Sequence, residues 1–97
     1  MINTDYIKEL AYGFIVMGNA EEEQLTVLIS PGQSKKIKMC IIKTSVDAGM
    51  EILLPVHYET SQDLITRLDF ILRDKWPTIL PERKHILKLA KKYMEGE

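Results

Sequence analysis

The apolar pattern of this chain predicts an α+β fold: an antiparallel meander of three strands, or four, with one N-terminal and two C-terminal helices in the order α-β-β-β-α-α. Three observations carry that expectation. Apolar and polar residues alternate with a period of two over most of Gln24 to His57, interrupted by turn-forming residues. Leu64, Ile65, Leu68, Ile71 and Leu72 fall on one stripe at 100° per residue, and a second helical stripe follows Pro81.

Element by element, Asp5 is placed to cap a helix beginning at Tyr6, with Ile7, Leu10, Ala11, Phe14 and Met17 at helical spacing and Gly18-Asn19 as a stop. Gly13-Phe14-Ile15-Val16 favours a strand on propensity, so a short helix followed by a strand is the alternative. Ala20 to Glu23 reads as an acidic connection. Leu25, Val27 and Ile29 alternate in a first strand, and Ser30-Pro31-Gly32-Gln33-Ser34 suits a type II turn. The second strand, Lys36 to Thr44, puts Ile37, Met39 and Ile41 on one face. After Val46-Asp47-Ala48-Gly49, the third strand is expected to send Met50, Ile52, Leu54 and Val56 inward. Pro55 lacks an N–H and therefore belongs at a sheet edge or a bulge. Thr60 and Asp63 form a capping-box-like start to the middle helix, which Trp76 extends and Pro77 closes. Pro81 opens the last helix, whose buried stripe is Ile86, Leu87, Ala90, Tyr93 and Met94.

The 97 residues leave room for one core, expected to span residues 1–97 as a single domain, and at this size a partner or second copy often adds stability. With 13 Lys+Arg against 14 Asp+Glu the chain is no polyelectrolyte, and 45% hydrophobic residues argue against disorder. One cysteine, Cys40, forbids an intrachain disulfide and suits a reducing compartment. The start of the chain is polar and lacks the features of a secretory signal, and its longest apolar run, Leu10 to Met17, is too short for a membrane span. The expected compartment is the cytoplasm, or the host cytoplasm for a viral product, with no membrane partner.

Chemistry-bearing residues are sparse. Cys40 sits mid-strand, where a packed thiol is the ordinary outcome. His57, Glu59 and His85 are the conceivable metal ligands but lack a ligand spacing, and the scattered glycines form no phosphate-binding loop. No cofactor is expected, and no residue argues for an enzyme. Trp76-Pro77-Thr78-Ile79-Leu80-Pro81 superficially resembles the Tyr-Pro-x-x-x-Pro of RWD and ubiquitin-conjugating-like domains, but here it follows a helix instead of the last strand, so nothing is carried over.

Charge is unevenly spread. Residues 1–34 hold 5 acids and 1 base, residues 35–44 hold 4 bases and no acid, and residues 81–97 hold 5 bases and 3 acids. Lys84, Lys88 and Lys91 make a ridge about 10 Å long on the last helix. Together with Lys36, Lys38 and Lys92 they are the candidate contacts for a nucleic-acid phosphate backbone. Solvated helix faces are commonly lysine-rich too, and no aromatic interleaves these lysines.

Two apolar anomalies point elsewhere. Phe70 lies roughly 200° from the centre of its helix's apolar stripe, beside Arg67 and Asp74, where it is either an interface anchor or a ring covered by the first or the last helix. Leu28, Ile42 and Leu53 are expected on the outer sheet face, with Thr26, Lys36, Lys38, Glu51 and His57, a stripe to be covered either by a helix or by another chain. The favoured reading is a small protein-interaction module, an adaptor, inhibitor or accessory subunit, that binds a partner protein through Phe70, Arg67, Asp74, Leu28, Ile42 and Leu53. Burial of the outer sheet face against a second copy makes a homo-oligomer a further expectation. Nucleic-acid binding is the alternative.

Overall fold

A computed structural model describes residues 7–17, 23–31, 36–75 and 80–95. Five strands come first: β1 (Ile7–Leu10), β2 (Gly13–Met17), β3 (Glu23–Pro31), β4 (Ile37–Ser45) and β5 (Gly49–Glu59). Two helices follow, α1 (Ser61–Lys75) and α2 (Leu80–Met94). The strands form one antiparallel sheet in the order β1-β2-β3-β4-β5. The order is thus β-β-β-β-β-α-α, which corrects the expected three or four strands behind an N-terminal helix. Asp5 and Tyr6, Gly18 to Glu22, Gly32-Gln33-Ser34 of the expected turn, and Trp76 and Pro77 lie outside the described residues.

The correction turns on Gly13. Ala11 and Tyr12 form a two-residue turn, after which Gly13 takes φ = +152°, a conformation side chains disfavour. A Cβ at Gly13 would stand 2.0 Å from the Val27 carbonyl oxygen, so β2 and β3 approach there only because the side chain is missing. The Ile29 N–H also donates to the Tyr12 carbonyl at 2.7 Å, tying the turn to β3. Phe14 and Val16 then enter the core on a period of two, and the strand preference of Phe14-Ile15-Val16 prevails over an accidental helical spacing.

One face of the sheet is sealed. Phe14 and Val16 of β2, Leu25, Val27 and Ile29 of β3, Met39 and Ile41 of β4, and Leu54 of β5 pack against Leu64, Leu68 and Leu72 of α1 and Ile86 and Ala90 of α2. These helix residues belong to the two stripes read from the sequence. Ile65, Ile71, Leu87, Tyr93 and Met94 line the margins of the same core.

β5 departs from the expected alternation. Between the pairs Met39–His57 and Ile41–Leu54, two steps along β4 face three along β5, and between Ile41–Leu54 and Ile42–Ile52, one step faces two. Each mismatch inserts an extra residue and reverses which face the following side chain takes. Pro55 sits in one of these bulges on an edge strand, where its missing N–H does no harm. Of the four residues expected inward, only Leu54 is buried. Met50, Ile52 and Val56 are 69%, 57% and 57% exposed. Leu53, expected on the outer face, is the inserted residue and packs against the core margin instead.

Side-chain contacts fix the helices to the sheet and to each other. The Thr60 hydroxyl accepts the Asp63 N–H at 3.3 Å and donates to the Asp63 carboxylate at 2.8 Å, capping α1. Arg83 of α2 donates to Asp69 of α1 at 2.8 Å. At the far end of α2, the Tyr93 hydroxyl reaches both the Glu9 carboxylate at 3.0 Å and the Leu10 carbonyl at 3.1 Å, while its ring lies 5.9 Å from that of Phe14. Desolvation, reinforced by the Glu9 carboxylate, pushes the Tyr93 hydroxyl above the usual phenol range.

Gly13→Ala is expected to destabilise the fold by about 3 kcal/mol or more, since it combines a steric clash with a disfavoured φ. Gly49→Ala is the control: Gly49 has φ = +73° but nothing within 4 Å of a Cβ, so its cost should stay at about 1 kcal/mol. Urea unfolding of both variants checks this, and equal losses would contradict the close approach of β2 to β3.

Candidate functional site

Directly paired residues of an antiparallel sheet share a face, so the register sorts every strand side chain. On the face opposite the helices, one row runs Lys8–Ile15–Thr26–Ile42–Ile52. The next runs Leu10–Gly13–Leu28–Cys40 and ends at the Pro55-Val56 bulge. A third holds Ser30, Lys38 and Tyr58, and a fourth Met17, Gln24, Thr44 and Met50. This face is apolar over most of its extent, and no described element packs over it. A sheet face bathed in water normally carries the polar half of each strand's alternation.

The second row is low at Cys40, whose side chain is short. The result is a hollow of about 510 Å³ lined by Tyr12, Leu28, Ile29, Ser30, Lys38, Cys40 and Val56. Tyr12 and Val56 stand exposed at its two ends. At its rim, the Lys38 ammonium lies 5.9 Å from the centre of the Tyr58 ring, within cation–π range.

Charges divide between the two faces. All four carboxylates of the strands, Glu9, Glu23, Glu51 and Glu59, occupy register positions on the helix side. Lys43 is on that side as well, 3.4 Å from Glu23. The uncovered face carries Lys8 and Lys38 and no acid among the described residues. Glu51 and His57, expected among the outer residues, are thereby moved to the helix side, and Lys36 lies exposed just ahead of β4.

The six residues singled out for partner binding do not form one surface. Leu28 and Ile42 lie on the uncovered face, and Leu53 has turned to the core margin. Phe70 is 67% exposed on α1, in the other layer. Arg67 is bound to Glu59 at 3.1 Å, and Asp74 is 3.9 Å from Lys75.

The lysines are likewise divided. Lys38 is on the sheet face, whereas Lys84, Lys88, Lys91 and Lys92 are exposed on α2. His85, Lys88, Lys91 and Lys92 border a cleft of about 750 Å³ beside β1, but Glu9 and Glu95 border it too, and Lys92 is 3.9 Å from Glu9. Carboxylates in the same cleft oppose a phosphate.

The histidines stay apart. His85 is beside β1, and His57 is on β5 at the opposite edge of the sheet. Among the described residues, no group of three His, Cys, Asp or Glu side chains is arranged to hold a metal ion. Since a carboxylate only accepts, His57 Nε2–H donates to Glu59 Oε1, at 2.7 Å. This bond, with that from Arg67, holds the Glu59 carboxyl below the usual glutamate range. Both contacts tie β5 to α1 or to itself and account for the cluster structurally. No described helix is long and apolar enough to cross a membrane.

No protein-family model matches the chain, and no curated protein or solved structure matches it either.

Tyr12, Ser30, Val56 and Tyr58 were missed from sequence as residues of this face. Tyr12 depended on recognising the β1–β2 hairpin, for which Gly13 was the available signal. Val56 depended on carrying the Pro55 bulge through to the alternation that follows it.

Phe70→Ala should change unfolding stability by no more than about 0.5 kcal/mol, whereas Leu68→Ala on the buried side of the same helix should cost roughly 2–5 kcal/mol. Denaturant melts of the two variants check the orientation of α1. The Glu59 contacts carry a sign with pH: with the folded pKa depressed, their stabilisation is complete above the ordinary value of 4.5 and is lost as pH falls through the lower folded value. Glu59→Gln should therefore flatten the acid side of the stability profile, and an unchanged acid limb would contradict the assignment.

Proposed function

We propose that this chain is a small protein-interaction module that binds a partner protein through the uncovered face of its sheet. The observation that carries the reading is the apolar character of that face, with Leu28, Ile52, Val56, Met50 and Tyr58 all exposed and no described element over them. Contiguous exposed apolar surface of this kind marks interaction sites in soluble proteins. The hollow beneath Tyr12 and Val56 offers a place for an anchoring side chain of the partner. A reducing, cytoplasmic setting suits the free Cys40 on this face.

Phosphate-backbone binding is less well supported, because the lysines on which it depends fall on two layers and the α2 cleft includes two carboxylates.

The test replaces exposed residues, so that folding is spared. Immobilised wild-type protein and an Ile52→Glu/Val56→Glu variant are incubated with extract of the native host. The proposal expects proteins held by the wild type to be lost from the variant, with the two melting temperatures within a few degrees. Retention of the same proteins by the variant, or no specific capture by the wild type, would refute it.

A further inference from the structure

We infer that the occupant of the uncovered sheet face is an amphipathic helix of a partner protein, with carboxylates flanking its apolar stripe. This rests on the binding role proposed for that face and adds the chemistry of what binds.

The charge pattern selects the acidic flank. Lys8 and Lys38 are the charged residues of the face among the described ones, while the four strand carboxylates are on the other side of the sheet. The chain as a whole has a net charge of −1, so this face opposes the overall balance. A partner burying the apolar rows brings its own polar rim against these lysines, and opposite charge there favours the correct register. A second copy laid face to face would instead offer these lysines, among the described residues, no carboxylate to pair with.

The backbone disfavours an extended segment and suits a helix. Interior strands have already spent their N–H and C=O groups on one another, so they offer no hydrogen bonds to an extended segment lying across them. Strand addition at an edge meets the four residues of β1 or the twice-bulged β5 with Pro55. A helix satisfies its backbone internally and repeats, on the second face, the packing that α1 and α2 achieve on the first. Lys8 and Lys38 are about three strand spacings apart across the sheet and about four residues apart along it, roughly 20 Å in all. That span corresponds to about 13 residues of helix, with an apolar stripe over Leu28 and the hollow and a carboxylate flanking it toward each lysine.

The experiment places a photo-crosslinking benzoylphenylalanine at exposed Val56 in the full chain, expressed in the native host. Irradiation is followed by sequencing of the crosslinked segment by mass spectrometry. The expected result is a segment of a different protein with helical apolar periodicity and an excess of Asp and Glu. A synthetic peptide of that segment should bind the purified chain at least fivefold more weakly after Lys38→Glu, and more weakly in high salt. A crosslink to a second copy of this chain, to a segment without acidic excess, or to an extended edge-pairing segment would overturn the inference while leaving the face as an interaction site. Absence of any protein crosslink at Val56 would overturn the binding role of the face and this inference together.

Discussion

The apolar layer between the sheet and its two helices is the contact on which the rest of the molecule depends. Both helices are committed to it: Leu64, Leu68, Leu72, Ile86 and Ala90 are buried against strand residues from β2 to β5. Each helix has 15 residues, about 22 Å of length, so together they cover one face of a five-stranded sheet. Having packed there, neither helix is free to cover the opposite face. The exposed rows through Leu28, Ile42 and Ile52 follow from that allocation, and so does the proposal that another protein covers them.

Local devices keep the two faces distinct. Gly13 lets the β1–β2 hairpin lie close to β3. The bulges of β5 bring Leu54 to the core but turn Val56 and Ile52 away from it, and they place His57 and Glu59 where Glu59 can accept from Arg67 of α1. Tyr93 fastens α2 to the β1 end of the sheet, and Arg83–Asp69 fastens the helices to each other. Carboxylates accompany the helix side in each strand that has one. Among the described residues, the uncovered face is left with Lys8 and Lys38 and no acid.

Much of this architecture was legible in the residues, for identifiable physical reasons. β3 and β4 alternate cleanly, and Leu25, Val27, Ile29, Met39 and Ile41 are buried as their period requires. The Thr60 cap and the α1 stripe were legible because helix signals there are local. The N-terminal region misled because Ile7, Leu10, Phe14 and Met17 satisfy a helical spacing by coincidence, while the hairpin depends on a contact between Gly13 and Val27, 14 residues further on. β5 misled because a bulge resets the alternation, and a rule that projects one parity through Pro55 assigns Val56 to the wrong face. The angle of Phe70 on the helix left an exposed anchor and a ring covered by a neighbouring helix both open, and its exposure, like its separation from Leu28 and Ile42, required knowing which face the helices cover.

The openness of the sheet face is tested most directly by the chemistry of Cys40, which lines the hollow at the centre of that face. Its modification by a small thiol reagent can be followed in the folded protein across low concentrations of urea. An open face predicts labelling under native conditions at a rate nearly independent of urea until the unfolding transition. Labelling that occurs only through global unfolding, with the full urea dependence of the unfolding equilibrium, would show that the face is covered and would contradict the account.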